Sequence, residues 1–224
     1  CPIAAPCGGC QLQTLSYPAQ LAFKENKIRQ HLLRLSGFSE ETLFACLQPI
    51  IGMDEPWHYR NKAQIPFGRD KDGRIIAGYY ASRSHRIVPM SSCRLNQDGF
   101  DRILHLLLDF ANEFHIAPYD EESGSGLLRH ALIRHAEGSG QWMVSLVING
   151  RRLPHADELV RRLGAVPGMT DISLNINTRR DNVILGDELV PLSGPGCIEE
   201  RIGSLRFHLS PLAFFQVNPV QTER

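Results

Sequence analysis

Apolar positions recur along this chain with two periods, and the switches between them outline the elements. In residues 16–37, "SYPAQLAFKENKIRQHLLRLSG", Leu21, Ile28, Leu32 and Leu35 fall on one face of a helix. Pro18 suits its first turn and Gly37 its C-terminal stop. The run "LFACLQPIIG" at 43–52 reads as a short apolar strand or buried segment. Alternation then takes over in "NKAQIPFGRDKDGRIIAGYY", a hairpin turning through Asp70, Lys71, Asp72 and Gly73, and "HRIVP" adds a strand. A second long helix is predicted at 98–115, where Phe100, Ile103, Leu104, Leu107, Phe110, Ala111 and Phe114 form a wide apolar stripe.

The stretch "EESGSG" reads as a flexible linker. Another hairpin, "LLRHALIRHAEGSGQWMVSLVIN", turns at Gly138, Ser139 and Gly140. "HADELVRRLG" is a short helix after Pro154, and "DISLNIN", "NVIL" and "LRFHLS" are strands. Helices fall between groups of hairpin strands instead of alternating with single strands. That order predicts an α+β fold, a mostly antiparallel sheet with flanking helices. There is no internal repeat and no low-complexity tract.

The chain has 224 residues, enough for one large domain or two small ones. Lys and Arg number 24 against 24 Asp and Glu, so no global field favours an acidic partner and any such argument must be local. No run approaches the ~18 apolar residues of a membrane span, and no secretory signal is visible. The expectation is a cytoplasmic protein without membrane partners. The chain starts at Cys1 and stops soon after "LSPLAFFQVNP", which reads as a fragment of something longer.

Six cysteines without a secretory signal suit a metal better than a disulfide framework. Cys1, Cys7 and Cys10 form C-x5-C-x2-C, a spacing that lets thiolates converge, and Gly8 and Gly9 let backbone N–H groups approach the sulfurs. A fourth ligand is required. Cys46 lies in an apolar run and reads as a buried core thiol, and Cys197 as a free structural thiol in a loop. Cys93, where a strand meets the polar turn "PMSSC", is the preferred ligand. On spacing alone, zinc and an iron–sulfur cluster stay open.

From His58 to Arg94 the charge is lopsided. Arg60, Lys62, Arg69, Lys71, Arg74, Arg83, Arg86 and Arg94 face only Asp70 and Asp72, with Tyr59, Tyr79, Tyr80, His58 and His85 interspersed. Cations neutralise phosphate and rings stack on unpaired bases, and strand alternation sets Arg60 and Lys62 on one face. The alternative is a solvated hairpin face. In "LLRHALIRH", Arg129 and His130 lie at one end of a strand and Arg134 and His135 further along, suited to RNA contact or to the core. The glycine pairs Gly124/Gly126 and Gly194/Gly196 punctuate loops, and no nucleotide-binding or hydrolase motif is present.

The opening cysteines, "YRNKAQIPF", "GYYASRSHRIVPMSSC", "LRHALIR" and "SPLAFFQVNP" occur in an order that resembles the RNA (uracil-5-)-methyltransferases, particularly the RumA/RlmD-like 23S rRNA enzymes. The resemblance covers nearly the whole chain. It implies a 4Fe-4S cluster on Cys1, Cys7, Cys10 and Cys93, in an iron-sulfur cysteine loop that holds the fold and helps position RNA. It assigns RNA binding to Arg60, Lys62, Arg129 and His130, and S-adenosylmethionine (SAM) contact to Gln216 of "FFQVN". Ala213 stands where a serine is usual.

The same resemblance implies a central iron-sulfur/RNA-binding domain from 1–17 and 52–212. Residues 18–51 would be a helical segment packing on a methyltransferase domain that begins at 213–224. The nucleophilic cysteine and the cofactor loop are expected beyond Arg224, so the fragment alone is expected to be inactive. Its apolar helix face is expected to support self-association. The function implied is SAM-dependent formation of 5-methyluridine, most directly in 23S rRNA. The rivals are a stand-alone iron-sulfur or zinc RNA-binding module and an electron-transfer protein, and the basic hairpin and "FFQVN" argue against the latter.

Overall fold

A computed structural model describes all residues 1–224. The chain divides into two compact units, one of Cys10–Pro56 and the other of Cys1–Gly9 with Trp57–Arg224.

The smaller unit holds α1 (Tyr17–Leu35) and α2 (Glu40–Cys46). Pro18 lies in the first turn of α1, as its fixed φ favours. Ser39 caps α2, its Oγ accepting the Thr42 N–H at 3.1 Å, and Glu40 and Glu41 complement the helix dipole. The segment after α2 runs back along α1, where Glu25 accepts the Ile50 N–H at 3.0 Å and the Tyr17 hydroxyl accepts the Met53 N–H at 2.7 Å.

Two expectations fail in this unit. "LFACLQPIIG" contains no strand: its first residues close α2, and the rest is irregular. Nor is Cys46 buried; α2 turns Leu43 inward and leaves Cys46 exposed. A capped helix of two turns is too short for its period to be legible.

The larger unit is built on a seven-stranded sheet in the order β3-β2-β1-β4-β5-β6-β7, with a separate β8–β9 hairpin. The strands are β1 (Lys62–Arg69), β2 (Ile75–Tyr80), β3 (Ile87–Pro89), β4 (Leu128–Ala136), β5 (Gln141–Ile148), β6 (Met169–Ile176), β7 (Glu188–Ser193), β8 (Ile198–Ile202) and β9 (Leu205–Leu209). Both predicted hairpins form where their turn residues indicate; Gly140, at φ +70°, supplies the left-handed position in the second. All pairings are antiparallel except β5–β6, joined by the crossover helix α4 (Ala156–Gly164).

The α+β expectation of a mostly antiparallel sheet holds. Its details differ at three places. "NVIL" is irregular, and β7 starts only at Glu188. Strand β8 was not foreseen. "EESGSG" is an ordered turn, in which Asp120 Oδ1 accepts from the Ser123 N–H and hydroxyl at 2.8 and 2.6 Å, and Asp120 bridges to Ser125.

One face of the sheet carries Ala63, Ile65, Ala131, Ile133, Val144, Leu146, Ile172 and Leu174. These residues share one core with the stripe of α3 (Phe100–Glu113), namely Phe100, Ile103, Leu104, Leu107, Phe110 and Ala111, and with Leu159 and Leu163 of α4. Burial of such aliphatic and aromatic side chains, at ~25 cal/mol per Å², is what fixes the sheet against its helices.

Five residues at the chain's end form a last helix, α5 (Pro219–Glu223), capped by Asn218 accepting the Gln221 N–H.

Candidate nucleic-acid interface

Side chains alternate along β1, so Lys62, Gln64 and Pro66 face away from the core that holds Ala63, Ile65 and Phe67. Across the β1–β4 pair, Lys62 opposes Arg134, Gln64 opposes Leu132 and Pro66 opposes His130. The same rows continue to Met143 and Asp171, and to Ser145 and Ser173, whose hydroxyls bond each other at 3.1 Å. This second face therefore mixes polar side chains with Pro66, Leu132 and Met143, and much of it is buried.

Arg134, 2% exposed, donates to the Ala213 carbonyl at 2.6 Å and the Ser210 carbonyl at 3.5 Å. Asn61 grips the same segment further on: its Nδ2 donates to the Gln216 carbonyl and its backbone N–H to the Val217 carbonyl, both at 3.1 Å. Phe215 packs on Phe207 with ring centroids 5.4 Å apart. The backbone of "SPLAFFQVNP" is thus pinned, while Phe214 and Gln216 remain exposed. Gln216 is where the resemblance assigned SAM contact. Its side chain is exposed and by itself makes no pocket.

Arg60 and Lys62 have different neighbours. Lys62 starts β1 beside Arg134, and its ammonium is pushed below its ordinary range by burial and then by that guanidinium. Arg60 precedes the strand, bridges to Asn96 and lies against the Tyr79 hydroxyl, with its Nε sealed and unpartnered. Burial drives Tyr79 up to about 12 against the pull of Arg60. Arg129 is used inside the fold. It donates to the carbonyls of Asn177 at 2.9 Å and Arg179 at 2.7 Å and lies 4.3 Å from the centroid of Tyr119. His130 is buried, its Nδ1 unpartnered, and desolvation lowers its pKa to about 4, so the ring is neutral at pH 7.

The basic stretch from His58 to Arg94 is dispersed. Arg69, Lys71 and Arg74 gather at the β1–β2 turn, where Arg69 donates to the Gly73 carbonyl at 2.7 Å. That turn lies about 23 Å along β1 from Lys62, by the strand rise. Arg83 and Arg86 occupy the exposed β2–β3 turn, and Arg94 lies 5.9 Å from the centroid of the Trp57 ring.

All six cysteines are free thiols. Gly8 donates to the Tyr80 carbonyl at 2.9 Å and so fastens the N-terminal segment to β2. The Gly9 N–H points at Cys7 Sγ at 3.4 Å, and Gln13 Nε2 lies 3.8 Å from Cys10 Sγ. Cys93 packs against the main core, its N–H donating to Asp101 Oδ1 at 3.3 Å. Thiols with N–H groups near them have the right chemistry for a cluster. The geometry does not match: no three His, Cys, Asp or Glu side chains converge as a metal ion would require. The expected metal centre on Cys1, Cys7, Cys10 and Cys93 is thus not assembled in this structure.

The sequence of this polar-faced sheet has close counterparts. It is 42% identical over 224 residues to an uncharacterized RNA methyltransferase of Clostridium tetani, covering 100% of this chain and 47% of the relative. It is also 42% identical over 224 residues to one from Halalkalibacterium halodurans, covering 100% of this chain and 48% of the relative. End to end, the chain is similar to RNA methyltransferases.

A relative in Listeria monocytogenes is 39% identical over 223 residues, with 48% of it covered. The chain thus spans about half the length of the curated relatives it matches. No protein-family model matches it. Among solved structures, the Pyrococcus abyssi tRNA (uracil-54, C5)-methyltransferase in complex with S-adenosyl-L-homocysteine superimposes with a TM-score of 0.76 at 24% identity, over 100% of this chain and 50% of that one. At that identity the likeness establishes a shared fold.

Sequence reasoning noted Arg134 without assigning it a role, and it missed Asn61. Their roles depend on cross-strand register and on contacts between residues 61, 134 and 210–217, to which no local pattern refers. No helix is long and apolar enough to cross a membrane.

Proposed function

We propose that this chain is the RNA-recognition part of a SAM-dependent RNA methyltransferase that forms 5-methyluridine, with 23S rRNA as its target and the cytoplasm as its location. The observation that carries the reading is similarity along the whole chain, at 42% identity, to an RNA methyltransferase of which this chain covers 47%. The fold shared with a tRNA uracil-C5 methyltransferase supports the choice of base. The motif resemblance supports rRNA over tRNA.

In this reading the chain's residues bind and orient RNA; SAM, when bound by the whole protein, supplies the methyl group. Lys62 is partly accessible on the polar face and neutralises backbone phosphate. Arg60 lies against the Tyr79 hydroxyl, and Arg94 lies 5.9 Å from the centroid of Trp57, so that a cation and a ring for stacking lie together there. Arg129 and His130 act from within: Arg129 holds the loop at Asn177 and Arg179, and neutral His130 fills the polar face. Arg134 and Asn61 hold the segment that carries Gln216. The isolated chain binds RNA without transferring methyl groups.

The 4Fe-4S cluster belongs to the proposal through the motif resemblance, which implies Cys1, Cys7, Cys10 and Cys93 as its ligands. Iron and sulfide analysis of anaerobically prepared protein, wild type beside Cys93→Ser, tests it. Four irons per chain, lost in the variant, are expected, as a cubane cluster requires. Zinc, or a cluster intact in the variant, favours the stand-alone RNA-binding module.

The function is tested with the whole protein: labelled SAM is offered with 23S rRNA or tRNA, and the product nucleoside is identified by mass spectrometry. Labelled 5-methyluridine in rRNA is expected. Label only in tRNA transfers the target, and no 5-methyluridine overturns the reading.

A further inference from the structure

His58 lies in the left-handed region at φ +52°, a conformation uncommon for residues that carry a Cβ. The segment between β3 and α3 holds it there. The His58 N–H donates to the Arg94 carbonyl at 2.8 Å, and the imidazole lies back along the same segment. Its Nδ1 is 3.0 Å from the Asn96 carbonyl oxygen and 3.1 Å from Asp98 Oδ1. A carbonyl and a carboxylate only accept hydrogen bonds, so this network assigns the ring proton to Nδ1. In the neutral ring Nε2 is then an acceptor. No protein group bonds Nε2, and the side chain is 46% exposed.

The surroundings limit what this acceptor can take. Trp57, the preceding residue, is partly exposed, and the exposed Arg94 guanidinium lies 5.9 Å from its ring centroid. Such a ring stacks on an unpaired base while the cation beside it neutralises phosphate. His58 itself faces carboxylates, Asp98 on Nδ1 and Asp101 within electrostatic reach of the ring. An acceptor nitrogen backed by anions repels a phosphate oxygen and favours a neutral donor. The donor that every ribonucleotide carries, whatever its base, is the sugar hydroxyl.

We propose that His58 Nε2 accepts a hydrogen bond from a ribose 2′-hydroxyl of single-stranded RNA, so that this residue distinguishes RNA from DNA. The contact rests on the RNA-recognition reading and deepens it. Phosphate neutralisation and base stacking are the same for both nucleic acids, and the 2′-hydroxyl is what separates them. The Asn96 carbonyl and Asp98 are positioning groups: they fix the tautomer that leaves Nε2 free to accept.

The test compares binding of a fluorescent oligouridylate to this chain with binding of its 2′-fluoro analogue, which keeps an RNA-like sugar and has no hydroxyl to donate. Binding is measured at about pH 8, where an imidazole is neutral. Wild type is expected to prefer the oligouridylate about fivefold, the factor of one neutral hydrogen bond. His58→Asn suits a positive φ and offers an amide N–H to the Asn96 carbonyl, with no atom at the Nε2 position. It is expected to bind both probes alike, with affinity for the fluoro analogue unchanged and folding established by a thermal melt. His58→Gln, whose longer side chain carries an acceptor to the Nε2 position, is expected to recover part of the preference. The control is His115→Asn, exposed and also at positive φ, +51°, beyond the far end of α3. Helical rise sets it about 20 Å from the start of that helix, and it is expected to keep the full preference.

If His58→Asn keeps the preference, or loses affinity for both probes equally, the 2′-hydroxyl contact is overturned and the RNA reading stands. Equal binding of the two probes by wild type overturns the contact without any variant. If wild type binds neither probe at any salt concentration, the RNA reading falls and the contact falls with it.

Discussion

The buried carboxylate of Glu200 accepts the Gly138 N–H at 2.8 Å and so ties β8 to the turn between β4 and β5. Its other oxygen accepts the Glu137 N–H at 3.0 Å, and the Arg201 N–H donates to the first at 2.9 Å. Neutral backbone donors thus satisfy an anion with no access to water. Replacing Glu200 by Ala strands these N–H groups, and a loss of about 3 kcal/mol in urea unfolding is expected. Glu200→Gln keeps an acceptor and should lose about half as much. Equal stability of all three proteins would contradict this role.

His130 makes the chain acid-sensitive. Its pKa is about 4 in the folded protein, against 6.5 for the free side chain, chiefly because burial disfavours the imidazolium. The unfolded chain therefore binds the proton more readily between these values. The stabilising contribution is complete above pH 6.5 and is lost as pH falls toward 4. Its full size is about 3 kcal/mol. Unfolding midpoints measured from pH 7 to 4 should fall less steeply in His130→Gln than in wild type, and parallel curves would refute the assignment.

Gly8 is where the cysteine segment touches β2. A Cβ at this position would come within 2.6 Å of the Tyr80 carbonyl oxygen and 2.9 Å of the Ser82 nitrogen, both backbone atoms that cannot swing aside. Gly8→Ala is therefore expected to detach residues 1–9 locally without unfolding the sheet. In the metal-free protein, maleimide labelling of Cys7 should accelerate about tenfold relative to exposed Cys46, equivalent to ~1.4 kcal/mol. An unchanged ratio would mean that the segment is not held there.

Residues 10–56 expose an unusual amount of apolar surface, including Phe23, Ile28, Leu35, Phe38, Ile51 and Phe44, the last 87% exposed. Such surface drives association. The double variant Leu35→Ser, Phe44→Ser should retain its thermal stability, because neither side chain is buried, and should scatter less light at high concentration. Concentration-independent monomer in both proteins would remove self-association from the account.

Part of this molecule was legible residue by residue. The hairpins at 61–80 and 127–149 and the helices around 100–113 and 156–164 could be read because each depends on near neighbours. A period of two or of 3.6 and a glycine or aspartate in the turn suffice to specify such an element. The spacing of Cys1, Cys7 and Cys10 was legible in the same way, and so was the order of motifs that points to RNA methyltransferases.

The tertiary structure decided what depends on pairing between distant segments. Helix α4 carries the chain across to make β6 parallel to β5, a connection that antiparallel hairpin patterns do not announce. Arg129 and Arg134 look alike in "LRHALIR", yet one is drawn to the carbonyls at 177 and 179 and the other to those at 210 and 213. The basic stretch reads as a single strip, and the β1–β2 turn sends Arg69 and Lys71 to the far end of the strand from Lys62. Alternation tells which residues share a face of their own strand. Only register tells which charge stands opposite which, and the chain fixes that register through core burial on the other side of the sheet.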